Sequence, residues 1–129
     1  MNTTKFNSPG EMATALINGS FSTQAADSST TLSMLCLETY DDFGRVKISW
    51  VSANPDSSDW VGLYTGKAAG EDEYVTWARV KDRGGNYETG KRLHSGYQAR
   101  YYTWDSTNKV YKMLGDTDVY PSQVCWNKD

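Results

Sequence analysis

The sequence predicts an all-β protein, an antiparallel β-sandwich with a short N-terminal helix. Three observations carry this. Short apolar runs recur from Leu32 onward with turn residues between them. Those runs are rich in Val, Tyr and Trp, which suit a pleated, half-buried surface. The 129 residues, 38% hydrophobic and 22% charged, describe one ordinary globular domain large enough for its own core.

Taken in order, residues 1–31 read as a helix and linker packed on a sandwich of residues 32–129. Ser8 is an N-cap, Pro9 takes the first helical position and Glu11 the capping-box position, so a helix is expected near 9–17. Gly19 can end it. Residues 18–31 are Ser/Thr-rich and read as a loop or edge segment. Asn2-Thr3-Thr4 and Asn18-Gly19-Ser20 match glycosylation sequons and are read as chance matches.

Residues 32–40, apolar on both faces at Met34, Leu35, Cys36 and Leu37, read as a central strand. A turn at 41–44 leads into a strand at 46–51, and Pro55, Asp56, Ser57 and Ser58 form a polar turn. In the strand 59–64, Trp60, Gly62 and Tyr64 share one face while Val61 and Leu63 suit a core on the other. Gly62 between two aromatics implies a ring or backbone packed closely over it. Further strands are expected at 73–80, 87–93, 97–104 and 109–114. Glycines of a turn at 82–86 are available for positive φ, and a last edge strand is expected at 119–120 and 124–126. Seven or eight such strands suit an immunoglobulin-like topology.

The run Asp59-Trp60-Val61-Gly62-Leu63-Tyr64, after a strand ending Ser49-Trp50 and a polar Pro/Ser loop, resembles the Asp-Trp-Ile-Gly signature of SKICH domains. Similar wording occurs in the immunoglobulin-like domain that precedes the catalytic part of purple acid phosphatases. The likeness continues through Asp72-Glu73-Tyr74-Val75-Thr76-Trp77 and fades near Tyr101-Tyr102. It implies a SKICH-like, immunoglobulin-type sandwich and a role in protein–protein interaction. The coiled coil or catalytic domain that continues several SKICH proteins does not follow, so a stand-alone module is expected.

A net charge of −3 without a Lys/Arg cluster argues against nucleic acid, and no apolar run approaches the ~20 residues that span a bilayer. The start lacks an apolar segment with a cleavage pattern, so a cytoplasmic protein is expected, or one released without a classical signal peptide. Free thiols are then expected at Cys36 and Cys125. The alternative is a bridge closing 89 residues, worth roughly 4–5 kcal/mol.

The single histidine, His94, excludes a multi-His zinc site and reads as an exposed turn residue. A Ser-His-Asp triad lacks its Gly-x-Ser-x-Gly elbow, so no enzyme is expected. No cofactor is expected either, although calcium is possible through loop carboxylates at Asp56, Asp59 and Glu71, with Asp72 and Glu73 beside it.

Five Trp and nine Tyr against three Phe suggest a binding surface of amphipathic rings. Sugar recognition combines an aromatic face with planar polar groups. The candidates are Tyr64, Asp72, Trp77, Arg79, Arg100, Tyr102, Trp104, Asp105 and Asn108, whereas Trp50 and Trp60 are assigned to the core. The leading expectation is a non-enzymatic lectin for glycans or glycoproteins, multivalent as a homo-oligomer. A SKICH-type interaction module that captures an extended segment on a strand edge is the alternative.

Overall fold

Ser8 opens helix α1 (Pro9–Ile17), its hydroxyl accepting the Glu11 N–H at 3.1 Å, and Gly19 follows the helix at φ +74°. In this computed structural model, residues 5–19, 21, 30–121 and 124–127 are described. The first sequon, most of the 18–31 linker and Ser20 of the second sequon lie outside them.

Eight strands follow: β1 (Thr31–Thr39), β2 (Arg45–Ala53), β3 (Trp60–Tyr64), β4 (Thr76–Arg79), β5 (Gly84–Arg92), β6 (Gln98–Asp105), β7 (Val110–Asp116) and β8 (Cys125–Asn127). They form two four-stranded antiparallel sheets, ordered β5-β2-β1-β8 and β4-β3-β6-β7. The chain changes sheet between β2 and β3, β4 and β5, β5 and β6, and β7 and β8, the Greek-key habit of an immunoglobulin-like sandwich. The fold is the all-β sandwich with a short N-terminal helix that the sequence predicts.

Strand alternation builds two cores. Between the sheets, Leu35, Leu37, Val46, Ile48 and Trp50 meet Val61, Leu63, Ala99 and Tyr101. Trp60 and Tyr64 alternate with Val61 and Leu63, so they emerge on the outer face of the second sheet. There they pack with Tyr102, Trp104 and Tyr111 beneath Met12 of α1. Every residue of β3 is therefore buried.

Gly62 sits where the two rings close in. A Cβ there would lie 2.9 Å from Trp60 Cζ3 and 3.0 Å from Tyr64 Cε1. Both rings are buried and cannot retreat cheaply. Gly62→Ala is expected to cost about 1–3 kcal/mol, read as a lower urea midpoint at unchanged slope. A midpoint equal to wild type would show that the rings yield freely.

Four expectations are corrected. The strand expected at 73–80 shrinks to β4, because Gly70 and Glu73 close a turn through Glu73 N–H to Gly70 O. Gly84 and Gly85 belong to β5 rather than to a positive-φ turn: Gly85 pairs with Trp50, and a Cβ on it would lie 3.1 Å from the indole. Residues 119–120 are not a strand, although Tyr120 exchanges backbone hydrogen bonds with Gly96 and Tyr97. Cys36 and Cys125 are not free thiols but a disulfide. β8 returns alongside β1, so residues 89 apart in sequence become cross-strand partners.

Candidate functional site

The Tyr/Trp excess serves chiefly the second core. Trp60 stacks on Tyr102 with ring centroids 4.3 Å apart and meets Tyr74, Trp77 and Tyr111 edge-on at 5.8–6.1 Å. Trp104 meets Tyr111 at 5.0 Å. Of the residues read as a sugar-binding surface, Tyr64, Arg100, Tyr102 and Trp104 are buried.

Two polar groups of this layer, the Tyr64 hydroxyl and the Arg100 guanidinium, are occupied from within. Tyr64 donates its hydroxyl to the Glu71 carbonyl at 2.6 Å, and burial first, then Tyr102, pushes its pKa far up. Arg100 donates to Gln98 Oε1, the Tyr102 hydroxyl and the carbonyls of Gly66 and Lys67 while lying 4.0 Å over the Tyr64 ring. It pins the 66–72 loop to β6.

Other candidates separate. The Asp105 carboxylate accepts the backbone N–H groups of Thr107 and Asn108 and the Asn108 side-chain amide, so this pair caps its own turn. Asp105 also lines, with Trp104, Thr30, Thr103 and Lys112, a small 230 Å³ hollow. Asp72 is exposed on its loop. His94 is exposed and meets Tyr97 edge-on.

The proposed calcium ligands do not converge. Asp56 Oδ1 accepts the Ser58 N–H and hydroxyl, and Asp59 accepts four hydrogen bonds within the fold. Glu71 is half-buried on the distant loop, its pKa raised by burial and by Asp72. No group of three His, Cys, Asp or Glu placed to hold a metal occurs among the described residues. No helix among them is long and apolar enough to cross a membrane.

Trp77 and Arg79 remain, and β4 places both on the wall of a cleft of about 520 Å³. The cleft opens where the edge strands β4 and β5 of the two sheets adjoin, tied by a hydrogen bond between Thr76 Oγ1 and the Tyr87 hydroxyl. Its rings are Phe6, Trp50, Trp77 and Tyr87. Trp77 is held by Nε1–H donation to the Asn7 carbonyl at 3.3 Å. Arg79 donates to the Ser57 carbonyl at 2.9 Å, lies over Phe6 and Phe21, and has its pKa drawn down by burial.

Sequence reasoning missed the contributions of Phe6, Lys5, Lys81, Asn86 and Tyr87, and placed Trp50 wholly in the core. Tyr87 carries a signal, an inward ring on an alternating edge strand. Phe6 carries none, because only the fold brings the N-terminal segment to β4. No family model matches the chain, and comparison with curated proteins and with solved structures finds no match.

Proposed function

We propose that this protein is a non-enzymatic carbohydrate-binding module, a lectin, whose ligand lies in the cleft between β4 and β5. The carrying observation is the lining: Trp77 and Tyr87 supply ring surface, and Arg79 and Asn86 supply planar hydrogen-bonding groups beside it. That is the chemistry a pyranose needs, an apolar face against a ring and hydroxyls against planar donors and acceptors. The disulfide favours an oxidising compartment over the cytoplasm, which is also where glycans are displayed. A shallow single site binds weakly, so self-association and avidity belong to the reading.

A glycan-array screen with the purified protein, in calcium and in EDTA, tests it. Sugar-competable binding, equal in EDTA, is expected. Trp77→Ala should weaken it roughly tenfold to thirtyfold, the loss typical of a central aromatic anchor. A blank array with folded protein would sink the proposal, and loss in EDTA would return Glu71, Asp72 and Glu73 to consideration as ligands.

A second reading rests on β5, nine residues long and paired only with β2 among the described residues. Such an edge supports capture of an extended protein segment, as in a SKICH-type interaction module. A blank array together with a peptide that adds to β5 would move the conclusion there.

A further inference from the structure

We propose that the saccharide taken by the β4–β5 cleft is anionic, a uronic-acid or sulfated sugar; this rests on the cleft being a sugar site. The protein carries a net charge of −3, yet Lys5, Arg79 and Lys81 all line this one cleft. No Asp or Glu among the described residues lines it with them. Asp82, next in the chain to Lys81, is tied into the wall through its backbone, where its carbonyl accepts the Trp50 Nε1–H at 3.2 Å.

Three cations around ring faces give a ligand two separate holds. The rings take the apolar face of the sugar whatever its charge. The ammonium groups, both on exposed residues, take a carboxylate or sulfate. Trp77 thus governs sugar binding as such, and Lys5 and Lys81 govern the choice of an acidic sugar over a neutral one.

The test titrates the full chain, by its tryptophan fluorescence, with an oligogalacturonate, a sulfated heparin tetrasaccharide, a neutral galacto-oligosaccharide and inorganic polyphosphate. An acidic saccharide is expected to bind about fivefold to tenfold tighter than the neutral one, the gain of a hydrogen bond to a charged group over a neutral pair. Added salt should erode the gain. The double variant Lys5→Gln/Lys81→Gln, both changes at exposed positions, should bring the acidic sugars down to the neutral level and leave the neutral one unchanged.

Oligogalacturonate alone binding tightly assigns a carboxylate, and the heparin fragment alone assigns a sulfate. Equal binding of neutral and acidic sugars, unaltered in the double variant, overturns the charge inference and leaves the sugar site standing. Failure of every saccharide overturns the sugar site itself. Polyphosphate binding as tightly as the acidic sugars, and indifferent to Trp77→Ala, reduces the cleft to a patch for any polyanion and overturns the inference.

Discussion

Replacing Cys36 and Cys125 by Ser is expected to lower unfolding stability by about 4–5 kcal/mol, because the bridge closes a loop of 89 residues in the unfolded chain. The native state adds a local reason. β8 is only three residues long and lies at the edge of the first sheet, paired to β1 at Met34–Asn127, Leu35–Trp126 and Cys36–Cys125. One further backbone hydrogen bond, Leu37 N–H to the Val124 carbonyl at 2.8 Å, extends that pairing. So short a strand holds weakly alone, and without the bridge it should fray before the rest. Trp126, packed against the inter-sheet core, would then gain water. Urea unfolding with and without reductant measures the first effect. A red-shifted Trp emission before the main transition reports the second. Equal midpoints for the oxidised, reduced and double-Ser proteins would contradict the first, and an emission unchanged up to the main transition would contradict the second.

Local patterns made the sandwich legible. Val61 and Leu63 alternating with Trp60 and Tyr64 declare β3, and Ser8, Pro9 and Glu11 declare α1 before any contact is known. Gly62 between two rings signalled close packing, and the packing is there. What one strand cannot show is which element covers its outer face. Tyr64, Tyr102 and Trp104 have the pattern of an exposed aromatic surface until α1 lays Met12 over their layer. The cover was hard to foresee because α1 offers only Met12, Ala13 and Leu16 as apolar contacts. The cleft was half legible. Trp77 and Arg79, two apart on one strand, were read together, and Lys81 follows two residues further on the same stretch, whereas Lys5, Asn86 and Tyr87 come from segments joined only by the return of β5 and the placement of the N-terminus. Likewise, no spacing rule pairs Cys36 with Cys125, which depends on where β8 lands.

Asp59→Ala is expected to destabilise the protein by about 3–5 kcal/mol, since it strips acceptors from several buried donors at once. The carboxylate, fully buried at the start of β3, accepts the Tyr101 hydroxyl at 2.7 Å, the Thr103 hydroxyl at 2.6 Å, the Thr30 hydroxyl at 3.0 Å and the Asp56 N–H at 3.1 Å. It binds the polar turn and β3 to the middle of β6. Burial raises its pKa from 3.8 to about 6, with the hydrogen bonds from Thr103 and Tyr101 pulling the other way. The folded state therefore holds a proton between pH 3.8 and 6 that the unfolded chain has released. This group's contribution is greatest at acid pH and falls as pH rises through that window, by about 2–3 kcal/mol in all. Other carboxylates titrate in the same range, so the informative quantity is the difference between wild type and Asp59→Asn. The amide keeps an acceptor and cannot ionise. It should be less stable than wild type near pH 4 and gain on it steadily up to pH 7, whereas Asp59→Ala stays well below both throughout. Parallel stability curves for wild type and Asp59→Asn between pH 4 and 7 would show that Asp59 does not titrate there. Asp59 would then act as a permanently charged anchor rather than a protonated one.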